Sequence, residues 1–362
     1  MVEYNYMFGS LGTEQIIAEI PLFGTYMDLE VNVGGRFDGS FSLDQTGKDN
    51  DTLMSATIPG RSFVACERDG KCIWIGYVWS RTYQSQSKSV QLYGQSFEYY
   101  PSHQLIDADT VYTTVEQLEI FKGLWNQMQA VPGRNVNINI PTVVAPTLVP
   151  KSIDVKATDF KYYSEIMSSL ADTDNGFDWT IDVTKTGSQY IKTLRYVYPV
   201  MGATDSSLTT FEYPGSILNY YATESMADAG TNVFSLGAGS GSEMLVSAFV
   251  HADMLASGFP RWDFVVSAKD IDDQATLDQI GVVEGGIARP PRLVIKPTFK
   301  AEKTPAFGDW GMGDACRLVI KDPRFPTGIG FDTRIVKWAL QPQSAENTEE
   351  FNLIFAGDEE NA

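Results

Sequence analysis

The sequence predicts a mainly β protein carrying an α+β insertion. Three observations predict it. Short alternating segments bounded by Gly and Asp turns fill residues 16–100. A segment of helical period follows Thr113, and two alternating segments come after it, near Trp179 and Tyr190. Alternation returns at Cys316–Ile320 and again at Phe351–Phe355.

Taken in order, Leu29, Val31 and Val33 alternate with Glu30 and Asn32, and Gly34-Gly35 signals a hairpin turn. Phe37, Phe41 and Leu43 continue the alternation, and 44–51 is a polar loop. Phe63–Cys66 and Cys72–Trp79 form a second hairpin about Asp69-Gly70, and Ser89–Tyr93 is a further short strand. Several short strands at this spacing predict a small barrel or sandwich.

After Tyr100 the character changes. Val115, Leu118, Phe121, Leu124, Trp125 and Met128 follow helical spacing, and Thr113 with Glu116 fits a capping box. Val131-Pro132-Gly133 stops this helix. Residues 135–155 read as an extended, Pro-rich linker. A second helix starts near Thr158 or Asp159, with Phe160, Tyr163, Met167 and Leu170 inward. Phe177, Trp179, Ile181 and Val183 alternate as a strand, and Tyr190–Tyr198 returns. From Leu208 the chain turns β again, through Leu218-Asn219-Tyr220 and Asn232–Leu236. A short helix over Thr276–Ile287 is interrupted by Gly281. Arg292–Phe299 is a strand. Gly308, Gly311 and Gly313 let the chain bend before the strand in which Cys316, Leu318 and Ile320 alternate with Arg317, Val319 and Lys321. The last strand holds Phe351, Leu353 and Phe355, and 357–362 is an acidic, frayed tail. VQLYG (Val90–Gly94) and FNLIFAG (Phe351–Gly357) each follow a polar Gln/Ser-rich loop. This echo fits a duplicated barrel, and it fits coincidence between two strands equally.

The predicted divisions are a barrel over 1–105, the α+β insertion over 106–207, and a second barrel over 208–362. The last holds a strand–helix subdomain at about 243–290.

The chain has 362 residues, enough for two or three domains, and 43% hydrophobic content gives it real cores. It carries 27 basic and 46 acidic residues, a formal net charge of −19. A protein that grips nucleic acid needs the opposite excess. DNA sliding past a surface without sticking would need this sign, and solubility alone accounts for it as well. The three cysteines form no framework, which fits a reducing compartment or indifference to redox. With a two-residue turn at Asp69-Gly70, Cys66 faces Ile73 and Cys72 faces Glu67, so the thiols point to opposite sides. A three-residue loop would bring them together. The N-terminus has no secretory pattern, and no apolar run approaches the ~20 residues of a membrane helix. The expectation is a soluble chain made without export.

No catalytic, cofactor-binding or metal-binding residue is assigned. Gly237–Gly241 lacks the Lys-Ser/Thr of a phosphate loop and reads as a turn. His103 and His251 sit in no nucleophile context and near no cysteine cluster. Asp270, Asp272 and Asp273 lack EF-hand spacing and read as a solvated turn, and Asp172, Asp174 and Asn175 as a helix end. Trp74, Trp79, Trp179, Trp262, Trp310 and Trp338 read as packing on strands. The pairs Tyr99-Tyr100, Tyr162-Tyr163 and Tyr220-Tyr221 read as half-buried packing or contact surface.

The order of parts resembles the hub protein of bacteriophage tail tips, the siphophage minor tail proteins related to the myophage baseplate hub. GFDWTIDV (Gly176–Val183) after a helix is similar to that family's insertion domain. NVFSLGAGSG (Asn232–Gly241) resembles the strand and Gly turn re-entering its second barrel. FPRWDFVVSAKDIDD (Phe259–Asp273) with TLDQIG resembles its strand before a helix, and FGDWGMGDACRLVI (Phe307–Ile320) its Gly-Asp turn and barrel strand.

The resemblance implies a homotrimeric ring of six tube domains that adapts a sixfold tail to a threefold tip. Its acidic lumen would pass DNA and the tape measure protein during ejection. The implied partners are the distal tail protein above and the central tip or receptor-binding proteins below. The implied location is the virion tail tip, with assembly in the host cytoplasm, and no enzymatic activity or fused lysin domain is expected. Phe307–Asp314 and the N-terminal hairpins would lie in the ring, with the helices Val115–Met128 and Phe160–Leu170 outside it. A carbohydrate-binding or glycan-hydrolysing β protein is the alternative. Its support is the 12% aromatic content and the abundant acids, of which a glycosidase needs only two.

Overall fold

In the computed structural model the described residues are 2–356 apart from 45, 46, 48, 144, 145, 174, 270, 272, 291 and 343–348. Asp174, Asp270, Asp272 and the acidic tail therefore lie outside the described residues. The chain is mainly β and divides into two compact units. The larger is Met1–Leu218 with Thr298–Ala356, and the smaller contains Asn219–Pro297.

The first strands are β1 (Tyr4–Ser10), β2 (Ile16–Glu19), β3 (Phe23–Glu30), β4 (Arg36–Ser42), β5 (Ser62–Arg68), β6 (Lys71–Gln84) and β7 (Ser89–Ser96). Helix α1 (Asn50–Ala56) precedes β5. Its N-cap Asp49 accepts from Thr52 N at 3.0 Å, inside what reads in sequence as a uniform polar loop. The Asp69-Gly70 turn joining β5 and β6 has φ of 49° and 77°, the left-handed pair that a two-residue hairpin needs. Cys72 faces Glu67 as the two-residue loop requires. A bulge then skips Ile73 and sets Cys66 opposite Trp74. All three cysteines are free thiols. The β3–β4 alternation stops earlier than it reads in sequence. Val31–Val33 is a turn with Asn32 at φ 64°, and Val33 is exposed.

Next come β8 (Thr110–Glu116), α2 (Gln117–Ala130), β9 (Ile138–Asn139), β10 (Pro150–Val155), α3 (Tyr163–Ala171), β11 (Asp178–Thr186) and β12 (Gln189–Val197). The helix begins later than the Thr113 capping box implies. Residues 110–116 pair with β10, and Glu116 itself caps α2, accepting from Glu119 N at 3.0 Å. Phe160 is exposed in a left-handed conformation rather than inward, because α3 starts only at Tyr163. Residues 135–155 contribute β9 and β10. Gln129 splints β9, its amide exchanging two 2.9 Å bonds with the Ile138 backbone. Phe121 meets Phe177 at 5.0 Å and Trp179 at 5.3 Å, and Trp125 meets Trp179 at 6.0 Å. One buried cluster joins these rings to Phe63, Ile75, Tyr77 and Phe97 of the first strands. The helical segment therefore shares a core with the early hairpins.

β13 (Thr210–Tyr213) and β14 (Ile217–Ser225) follow. The smaller unit then holds β15 (Asn232–Leu236), β16 (Val246–Val250), α4 (Ala252–Ala256), β17 (Asp263–Ser267) and α5 (Gln274–Ile287). β15 pairs antiparallel with β16 and parallel with β17. Asp273 caps α5 by accepting from Thr276 N at 2.8 Å. Gly281 and Gly285 do not break this helix; they let it close on the sheet. A Cβ at Gly285 would stand 2.3 Å from the Phe249 ring.

The last strands are β18 (Arg292–Lys300), β19 (Ala315–Ile320), β20 (Ile329–Gln341) and β21 (Glu350–Phe355). Cys316, Leu318 and Ile320 are fully buried, as their alternation predicts. The strand order is β14-β18-β21-β20-β3-β4-β7-β6-β5-β1-β2, with β19 beside β20 and β13 beside β19.

This order contains one arrangement twice. In the run β4-β7-β6-β5, the long strand β6 pairs through its first half with β5 and through its second half with β7, with a register shift at Val78/Ser80. In β18-β21-β20-β19, the long strand β20 divides in the same way between β19 and β21, with a shift at Ile335/Lys337. Matching the shifts sets Val90–Gly94 against Phe351–Phe355. Their burial runs identically from Ser89 to Gly94 and from Glu350 to Phe355. Phe41 faces Val90 and Phe299 faces Phe351, and both phenylalanines are fully buried. The sequence echo thus falls on corresponding strands of two like meanders.

Candidate assembly edges

Where the two meanders meet inside the larger unit, β3 joins them. It pairs with β4 on one side. On the other, Met27–Glu30 lies antiparallel to Lys337–Leu340. The pairing is polar at one end, where Lys337 Nζ lies 2.9 Å from Glu30 Oε2, and apolar at the other, where Met27 and Leu340 are fully buried. Asp28 fixes the adjacent turn. Its carboxylate accepts from Arg36 N at 2.7 Å, Arg36 Nε at 3.2 Å and the Tyr26 hydroxyl at 2.9 Å, and its carbonyl accepts from Trp74 Nε1 at 2.9 Å. Across from it, Arg68 donates from Nε and Nη2 to Glu349 at 2.7 and 2.8 Å. The Tyr4 hydroxyl donates to the same carboxylate, and the Arg68 guanidinium lies over Phe307. This forked, largely buried pair ties the β5–β6 turn to the start of β21. Acceptance by Glu349 raises the Arg68 pKa further above its ordinary value.

The second half of β6 has no counterpart to this arrangement. β5 runs out at Phe63 opposite Tyr77, and Gly60 N donates to Val78 O at 2.8 Å. Beyond that point Ser80–Gln84 pairs with β7 alone among the described residues. Trp79 is 44% and Tyr83 50% exposed, and Trp79 stacks on His103 at 4.3 Å. β14 likewise has one strand neighbour, β18, among the described residues, and Tyr221 on it is 73% exposed. Neither Ser80–Gln84 nor β14 carries proline or lysine, the residues that blunt a free edge.

Among the described residues, the histidines and the glycine turn singled out in the sequence are held by structural contacts. His251 is buried, with Nε2 at 2.8 Å from the Gly285 carbonyl, and His103 hydrogen-bonds the Gln95 side chain. Gly237–Gly241 is the β15–β16 turn, closed by Gly237 N to Leu245 O at 2.8 Å. Burial pushes the Cys72 and Cys316 thiols up to about 12 and Cys66 well above its usual range, so none is a ready nucleophile. No cluster of three metal-ligating side chains occurs among the described residues. A cleft of about 310 Å³ opens beside α3, lined by Asn32, Glu98, Ser164, Glu165, Asp172 and Trp179 among others. Its polar groups brace one another. Asn32 donates to Asp172 at 3.1 Å and accepts from Trp179 N at 2.8 Å, and Glu98 accepts from Thr180 Oγ1 and Ile181 N. The edges were not legible as a site in sequence, since an unpaired strand side has no residue signature of its own.

No protein-family model matches the chain, and no curated protein matches it. Solved structures do. The 43 kDa tail protein of prophage MuSo2 from Shewanella oneidensis superposes with a TM-score of 0.63 at 10% identity, over 98% of each chain. A tail protein from Neisseria meningitidis gives 0.59 at 13%, over 97% of this chain and 96% of that one. A chain of the Francisella PdpA–VgrG complex gives 0.55 at 8%, with this chain spanning 59% of its length. The chain has the fold of these phage tail proteins.

Proposed function

We propose that this chain is a structural hub subunit, a minor tail protein, of a phage tail tip, and that it catalyses no reaction. The supporting observation is the full-length likeness to tail proteins together with the doubled meander. Two like wall segments per chain are what a ring needs to present six segments from three copies. Such a ring seats on a sixfold tail and hands over to a threefold tip. The divisions proposed for this role are wall segments over 1–105 and 208–362, with 106–207 as an outward insertion and a subdomain at about 243–290.

Its partners in this reading are two further copies, the distal tail protein, the tape measure protein and the central tip or receptor-binding proteins. DNA passes through a negatively lined lumen without specific contact, in keeping with the charge of −19. Assembly takes place in the host cytoplasm and the product resides in the virion. A reconstruction of the assembled particle tests this. The expected result is three copies around the tail axis at the tip. Copies placed off the axis, or with no threefold contact, overturn the proposal.

A further inference from the structure

We propose that the open face of the β16-β15-β17 sheet in the smaller unit is covered by the outer face of α5 from a second copy of this chain. The proposal rests on the hub reading above. It adds a contact made by the smaller unit, away from the meander strands.

The sheet is patterned against a free surface. α5 lies over one face, where Gly281 and Gly285 close on Ser235, Ser247 and Phe249. The residues between these point the other way. Register sets Phe234 between Ala248 and Val265, and Leu236 beside Val246. A sheet with one face in water turns its polar residues outward. Here two serines lie beneath the helix, and the Ser235 hydroxyl is buried with no partner among the described residues. The uncovered face carries Phe234, Leu236 and three valines instead. Val246, Val250 and Val265 are 42%, 48% and 54% exposed. Contiguous apolar surface of this kind marks a contact.

α5 has the matching surface. Leu277, Gly281 and Gly285 face its own sheet, while Val282, Val283 and Ile287 are each more than half exposed. A helix apolar on both sides is one that is covered on both. The unit already lays α5 on this sheet. With α5 of the next copy on the open face, every sheet has a helix on each side and every helix a sheet on each side.

Charge selects this occupant. α5 carries Asp278 and Glu284 and no cation. Exposed Arg261 and Lys269 flank β17 at the open face, and the Asp263 carboxylate there is held by Arg261 and Asn232. An acidic helix is drawn to that rim. Two open faces laid together would bring like cations close and leave Val282, Val283 and Ile287 bare. The contact joins two different patches, so it is heterologous and continues from copy to copy around an axis.

Site-directed cross-linking tests the contact. Val265→Cys and Val283→Cys place thiols at exposed positions, whereas native Cys66 and Cys316 are buried and Cys72 is half-buried. Each variant is made alone, the two are mixed, and a double variant is assembled into particles. A short bis-maleimide linker is added, and linked species are read on denaturing gels with the wild type as control. Ala248→Cys with Gly286→Cys is the reserve pair if either variant loses the wild-type circular dichroism, since an added Cβ at Gly286 meets nothing. The expected result is linked pairs in the mixture, each holding one copy of both variants, and no linking by either variant alone. The double variant should link into species of two and three chains in the particle. Val265→Cys linking to itself, or the double variant linking within one chain, overturns the proposal. So do thiols that stay open to labelling in the multimer and are shielded only in the particle, which would give the face to a different tail protein. A multimer by light scattering with no cross-link in the mixture or the particle overturns the α5 contact and leaves the hub reading standing. A single chain both in solution and in the particle overturns both.

Discussion

At β20, the stretch Lys337–Leu340 lies between two strands, β21 and β3, and Trp338 and Leu340 are buried. At β6, the corresponding stretch Ser80–Tyr83 has β7 alone, and Trp79 and Tyr83 face solvent. The two meanders share strand order, the place of the register shift and the burial rhythm of the strand beside it. They differ in what covers one edge. Position in the fold therefore sets the backbone, and the neighbour sets the side chains. The covered edge buries Trp338 and Leu340 beyond one ion pair at its end, and the open one mixes aromatic with polar groups, as association surfaces do. The connection between the corresponding strands differs too. Residues 31–35 suffice between β3 and β4, whereas the smaller unit occupies that place between β14 and β18.

The strongest way to break the comparison is to truncate its corresponding core residues. Phe41→Ala and Phe299→Ala should each cost about 3–5 kcal/mol in urea unfolding, since both rings are fully buried against the partner strand. A cost under about 1 kcal/mol at one of them would show that the two positions are not equivalent. Next comes the tie between the meanders. Arg68→Ala leaves the Glu349 carboxylate buried beside the Tyr4 hydroxyl. It should cost about 3 kcal/mol, the low end for a buried pair because the Arg68 side chain keeps 16% exposure. Loss of less than about 1 kcal/mol would mean the fork is not holding β21 to the β5–β6 turn.

The residues at the two register shifts sharpen the comparison at smaller scale. Val336 is buried, and Val336→Ala should cost about 1–2 kcal/mol from lost methyl burial and the cavity left behind. Trp79→Ala should cost less, about 0.5 kcal/mol, since Trp79 is 44% exposed and loses a surface stack on His103. Equal destabilisation by the two would contradict an open edge at β6.

The smallest effect is a pH dependence. Burial raises the Glu98 pKa above its ordinary value. Between the ordinary and the raised value the folded state holds more protons than the unfolded one. Stability therefore falls as pH rises through that window, and is fully present below it. Glu98→Gln should flatten the melting temperature against pH there, and an unchanged slope would remove Glu98 as its source.

Much of this fold is readable from residue order. The Asp69-Gly70 hairpin, the Cys316–Ile320 alternation, the helix stop at Val131-Pro132 and the paired strands about Trp179 and Tyr190 follow local rules that the tertiary structure leaves in force. What was misread has local causes as well. The alternation through Val31 and Val33 continues past the true strand end because Asn32 takes a left-handed turn braced by Asp172 and Trp179, 140 and more residues away. Thr113 looks like a cap, yet its segment is claimed by β10. Gly281 looks like a breaker until Ser247 and Phe249 are seen beneath α5. The assembly edges were invisible for a deeper reason. An edge is defined by the strand that is not beside it, and only the topology shows which strand that is.

The most direct measurement is hydrogen exchange on the single chain, resolved by segment. In the single chain, Lys337–Leu340 should already be protected on both sides, while alternate amides of Ser80–Gln84 exchange freely. Equal protection of the two stretches would contradict the account of one edge covered within the chain and its counterpart left open.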